Sequence, residues 1–184
     1  MDNHLNNQFN AQMSVIDTAI SKLDTAIPAK VIAVNIKDKT VNLQSMIDKK
    51  TLDGTKVSMG PMHNVPYLRL QGGVGGIICD PQVGDEGFVV FASRDISNVK
   101  NSSIPASDRV CSRSDGVYIG ALYNQSPTTY IKITNGVVEI EAPQVRINGD
   151  LMVTGDVVAS GVSLKEHIHG NGDNGADTTP PKGA

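Results

Sequence analysis

The sequence predicts a mainly β chain built in series. An N-terminal helix comes first, then a small closed barrel of the OB type, then a ladder of very short strands that three copies wind together. Three observations carry this prediction. Apolar residues recur at helical spacing near the start and alternate in short runs afterwards. In the last third, turn signals interrupt those runs roughly every six to eight residues. Core-building bulk is also scarce: of 184 residues 39% are apolar and 4% aromatic, with no Trp, while 18 are Gly. Thin repeated layers suit that composition better than one thick core.

Residues 1–27 form the predicted helix. Phe9, Met13, Ile16, Ile20, Leu23 and Ile27 follow one another at steps of three and four, and Pro28 ends the run. An amphipathic helix of this kind must bury its stripe on its own domain, on a copy of itself or on a partner. Residues 28–125 form the predicted barrel. VIAVNIKD and TVNLQSMI alternate about the turn Lys37–Lys39, VPYLRLQ and GDEGFVVFAS read as further strands, and VCSRSDGVYIGALY closes the segment. Residues 92–109 are a polar excursion with room for a short helix. Five or so short strands with one excursion fit an OB barrel, although an SH3-like barrel has a similar strand count.

Residues 126–164 alternate strictly: Ile131 and Ile133, Val138 and Ile140, Val145 and Ile147, Leu151 and Val153. Asn135-Gly136, Ala142-Pro143, Asn148-Gly149, Gly155-Asp156 and Ser160-Gly161 supply the turns. A lone chain of such strands has one thin apolar face with no cover, and isolated hairpins are marginal in water. At about 25 cal/mol per Å2, apolar surface contributes only once it is covered. Three chains wound about one axis cover it in a shared column and hide the strand edges. The expected architecture here is therefore a trimeric intertwined triple-stranded β-helix, in which folding and assembly are one event.

Residues 165–184 are rich in Gly, Asn, Asp, Thr and Pro, the composition of a disordered tail, yet they carry His167 and His169. In a strand, residues i and i+2 project to one side. One chain then offers two imidazoles, too few for a closed site, whereas three parallel chains offer six nitrogens in two layers, an octahedral set. Imidazole suits Fe, Ni, Zn and Cu, and zinc prefers four ligands, so iron(II), one ion per trimer, fits best. Position after the ladder favours this reading over chance histidines in a tail.

Other features exclude functions. The net charge of −3 and the lack of a Lys/Arg run argue against nucleic-acid binding. No apolar run approaches the roughly 20 residues of a membrane span. MDNHLNNQFN lacks the basic and apolar regions of a secretory signal, so synthesis in the cytosol without the general export route is expected. The glycines at 72, 73, 75 and 76 fit neither a dinucleotide fingerprint nor a P-loop and read as bend glycines. Ser97–Lys100 matches SxxK without its companion boxes, and no carboxylate pair has an acid/base setting. His4 and His63 stand alone in polar surroundings. Cys79 and Cys111 form no CxxC and read as small buried residues in strands, with cytosolic assembly arguing against a disulfide. No catalytic residue, organic cofactor or small-molecule substrate is expected.

Three stretches resemble a known family. They are Arg146–Asp150 (RINGD), Val153–Val157 (VTGDV), and Ala159–Gly170 (ASGVSLKEHIHG), followed by Thr178-Thr179-Pro180-Pro181. They are similar to the C-terminus of phage baseplate central spike proteins of the P2 gpV, Mu and Gp138-like types. The resemblance is specific over 126–184 and looser over 28–125. It implies a homotrimer with an N-terminal OB domain, a triple-stranded β-helix and an apex over 165–184. The implied apex ion is iron, held by an HxH motif from each chain, here His167 and His169. The family further implies attachment to the baseplate hub through the OB domain. The apex meets the host outer membrane when the contractile tail fires, a membrane-piercing, cell-puncturing step before genome ejection. The same device serves phage-like bacteriocins. Some spikes carry a lysozyme domain between barrel and ladder; this chain leaves no room for one. The rival readings are a cupin-like metal enzyme, in which HxH would need further ligands, and a tail-fibre receptor-binding module, which the scarcity of aromatics disfavours.

Overall fold

The computed structural model describes residues 3–21, 23–51, 53–122, 126–170 and 178–179. They fall into two compact units, Met1–Ser126 and Pro127–Ala184.

The first unit opens with helix α1, Asn3–Ile20. Strands β1 (Ala26–Asn35) and β2 (Thr40–Ser45) follow. Next come the small pair β3 (Lys49–Lys50) and β4 (Lys56–Val57), then β5 (Met62–Pro66). A hairpin of β6 (Leu70–Gly72) and β7 (Gly75–Ile77) precedes β8 (Glu86–Phe91). A 3-10 turn at Arg113–Asp115 leads into β9 (Gly116–Ala121).

Five strands form one sheet in the order β5-β2-β1-β8-β9, every neighbouring pair antiparallel. The sheet curls into a half-barrel until its two edges touch. Tyr67 and Tyr118 form a parallel bridge there, and Leu68 N–H donates to the Tyr118 carbonyl at 2.9 Å. Period-two alternation explains the burial. Ile27, Ala29 and Val31 of β1, with Val41 and Leu43 of β2, turn inward to meet Val89, Phe91 and Tyr118. Pairing steps from Val31↔Leu43 to Ala33↔Asn42, so Ile32 is an extra residue that bends the strand, as bulges do. The expected hairpin about Lys37–Lys39 is present, Asn35 pairing with Thr40 and Lys39 at φ 57°. The glycine cluster makes the β6–β7 turn, with Gly73 at φ 56°.

Two glycines permit close approach, Gly87 to the backbone of β9 and Gly116 to side chains of β8. A Cβ on Gly87 would lie 1.7 Å from the Gly120 carbonyl oxygen, and one on Gly116 would lie 2.7 Å from Val89 Cγ2. The first contact coincides with a bulge between β8 and β9, where Gly87 pairs with Ala121 but Phe88 with Ile119.

Two expectations need correction. The helix ends at Ile20 rather than reaching residue 27. Ile27 satisfies both the helical spacing and the alternation Ile27–Ala29–Val31, and the alternation wins because it leads into the core, where Ile27 is 8% exposed. Pro28 does not stop a helix but sits inside β1 opposite Phe88, its carbonyl accepting from Met46 N–H at 3.0 Å. The cysteines are neither buried nor in strands: Cys79 is exposed, Cys111 partly so at φ 44°, and both are free.

The excursion between β8 and β9 forms turns and no helix before Arg113. One arginine pins it. Arg109 Nε and Nη2 donate to both oxygens of Asp115 at 2.7 and 2.9 Å, and Nη2 also reaches Asp95 at 2.6 Å. Ser97 and Ser107 hydroxyls donate to Asp95, each at 2.6 Å. Those hydroxyls, Ser107 first, draw the Asp95 carboxyl down to about 2. Arg109 likewise holds Asp115 below the ordinary carboxylate range.

The second unit contains the hairpin of β10 (Tyr130–Thr134) and β11 (Val137–Glu141), and the hairpin of β12 (Val158–Ala159) and β13 (Val162–Ser163). Both turn on two residues with positive φ: Asn135 and Gly136 at 49° and 77°, Ser160 and Gly161 at 51° and 84°. Between Glu141 and Val158 the alternating residues carry no strand.

Candidate functional site

Among the described residues, the large apolar side chains of the second unit are left exposed. Ile131 is 67% exposed, Ile133 77%, Leu151 67% and Met152 92%, whereas Val89 in the half-barrel is fully buried. The same alternation therefore produces a core in one unit and an open apolar row in the other. Val145, Ile147, Leu151 and Val153 keep their sequence alternation without a ladder, because a strand needs a neighbour for its backbone groups and none pairs with them among the described residues.

The chain segment carrying the two histidines is organised by Asp156 and Ser163. Asp156 Oδ1 accepts from Val157 N–H at 2.8 Å and from Lys165 N–H at 3.1 Å. The Ser163 hydroxyl bonds Asp156 as well, and it is the main cause holding that carboxyl below its ordinary value. Leu164 N–H donates to the Val157 carbonyl at 2.8 Å, and Glu166 N–H to Ser163 Oγ at 3.0 Å. These bonds close the β12–β13 hairpin onto a tight turn, and His167 N–H completes it on the Ser163 carbonyl at 3.1 Å.

The turn fixes the His167 ring. Nδ1 lies 2.9 Å from the Ser163 carbonyl oxygen and 3.1 Å from that of Leu164. A carbonyl oxygen only accepts, so Nδ1 is the donor, which in the neutral ring leaves the lone pair on Nε2. A backbone carbonyl on one imidazole nitrogen is the usual orienting contact for a ring whose other nitrogen binds a metal. His169 follows with its ring centroid 5.2 Å from that of His167, the planes at 87°. Its backbone is held from the other side: His169 N–H donates to Thr178 Oγ1 at 2.9 Å, and Thr178 N–H donates back to the His169 carbonyl at 3.0 Å.

The structure thus brings His167 and His169 together, although the segment is a turn and an irregular stretch rather than the strand that the i, i+2 spacing presumed. Among the described residues no third His, Cys, Asp or Glu joins them in a group able to hold an ion. Two imidazoles are one third of the six-nitrogen set, which two further copies of the same pair would complete. Asp173 and Asp177, the acids downstream of the pair, lie outside the described residues. His63 is exposed on β5, in the first unit.

Sequence reasoning missed Asp156, Ser163 and Thr178 as the residues that orient the histidines. The available signal was Gly155-Asp156 before a short strand: an Asp at a turn captures nearby backbone N–H groups. It also missed the Arg109–Asp95–Asp115 clamp, whose members are separated by irregular chain with no periodicity to read.

No curated protein matches the chain in sequence. Residues 27–120, the segment that forms the curled sheet, match the family described as phage protein Gp138 N-terminal domain. Half the chain lies inside that match, so the chain belongs to the Gp138 family of phage proteins, the baseplate-type structural family its sequence resembles.

Proposed function

We propose that the chain is the membrane-piercing central spike of a contractile injection baseplate, working as a homotrimer. The carrying observation is the uncovered apolar row from Ile131 to Leu164, which ends directly at the paired His167 and His169. Three chains wound in parallel would cover that row in a common column, giving the triple-stranded β-helix, and would bring three histidine pairs to one point. His167 and His169 of each chain would hold one iron ion there. When bound, the ion supplies a cross-link among three chain ends too polar to form a core. Asp156 and Ser163 set the turn that presents His167, and Thr178 braces His169.

The first unit supplies attachment. Its five-stranded curled sheet, with the edges meeting in parallel at Tyr67 and Tyr118, supports the OB barrel expected from the strand count, and the baseplate hub is its expected partner. The work is mechanical: sheath contraction loads the axis, and interwound chains resist fraying because none can leave alone. The apex meets the outer membrane first, and genome or toxin delivery follows. Particles assembled with a chain truncated after Leu164 test this reading. They should assemble and adsorb to cells, yet deliver poorly. Delivery at the full rate would contradict a piercing role for the tip.

A further inference from the structure

Helix α1 cannot account for its own stability. Asp17 is its only carboxylate and it has no Lys or Arg; no acid sits in its first turn and no base in its last. Its sequence, NHLNNQFNAQMSVIDTAI, is rich in residues of poor helix propensity. Helices of this length owe their order to burial of an apolar face. Yet Phe9 is 60% exposed, Met13 40%, Ile16 47% and Ile20 60%.

The spacing of these four residues identifies the cover. They follow at steps of four, three and four, the a/d seam of a heptad repeat, narrower than the stripe a helix lays on a globular surface. Phe9 and Ile16 take d positions, Met13 and Ile20 take a positions. Flanking the seam are Asn10, Gln12, Asp17 and Ala19, which offer no opposite charges to select a different protein or an antiparallel partner. Isoleucine at both a and d favours more than two strands. We propose that α1 is a trimerisation helix, its Phe9–Met13–Ile16–Ile20 seam packing in parallel against the same helix of two further copies. The proposal rests on the trimeric reading above and extends it to the opposite end of the chain from the histidines; chains already joined elsewhere meet at high effective concentration.

Cysteine cross-linking in the full chain tests it. Cys79→Ser and Cys111→Ser remove the native thiols, and Ile16→Cys is compared with Ser14→Cys, a position off the seam. Oxidised Ile16→Cys protein should yield covalent pairs that take up about two thirds of the chains, since one thiol in each three-chain layer is left over. Ser14→Cys should yield only a trace. A native mass of three chains with no excess cross-linking at position 16 would overturn the helix proposal while leaving the trimer intact. Complete pairing of all chains would also overturn it, by indicating an even number of strands. A single-chain mass would remove the trimer and the helix seam together.

Discussion

Arg109 ties down a polar excursion of more than twenty residues because its guanidinium fork meets two buried carboxylates at once, Asp95 and Asp115. Both carboxyls are depressed in the folded chain, Asp95 from 3.8 to about 2. A depressed carboxyl contributes stability above its unfolded value and loses it as pH falls through the folded one. Denaturant midpoints should therefore hold steady down to pH 4 and drop between pH 4 and 2, and Asp95→Asn should flatten that drop. Core positions separate in the same assay. Leu43 is fully buried in apolar surroundings, so Leu43→Ala should cost about 2–5 kcal/mol. Tyr118 is also buried, but its hydroxyl has no hydrogen-bond partner among the described residues and burial pushes it up to about 12. Tyr118→Phe should leave stability unchanged or raise it by up to about 1 kcal/mol, as removing an unsatisfied buried group does.

At the level of elements, local rules predict what local rules determine. The turns at Asn135-Gly136 and Ser160-Gly161 were legible because a two-residue hairpin loop needs positive φ at both positions. Strands β1, β2 and β8 were legible from alternation that ends in a shared core. The helix boundary was not, because Ile27 fits two periods and only the packed sheet decides between them. The glycines at 87 and 116 gave no signal either, since their reason is a neighbouring strand distant in sequence. Gly87→Ala forces a methyl into the Gly120 carbonyl and should cost about 1–3 kcal/mol or more, seen as a lowered thermal midpoint. The pairing of His167 with His169 was legible from spacing, but the turn that aims His167 depends on Asp156, nine residues from the Lys165 N–H it captures.

For the whole molecule, two halves of one chain use the same alternating pattern to opposite effect. The first curls on itself and buries it; the second leaves Ile131, Ile133 and Leu151 open along its length. The described residues of the second unit leave that row open, which is the reason for the proposal that further copies cover it. In the proposed trimer the tip would depend on two independent ties, the winding of the chains and the histidine cross-link. His167→Ala combined with His169→Ala should keep the oligomer while making residues beyond Leu164 sensitive to limited proteolysis at enzyme levels that spare the parent. The central claim is that three chains share one ion, and native mass spectrometry of the intact protein with metal analysis addresses it most directly. The account predicts a mass of three chains carrying one iron, lost when both histidines are replaced. A single-chain mass, or three chains with no metal, would contradict it.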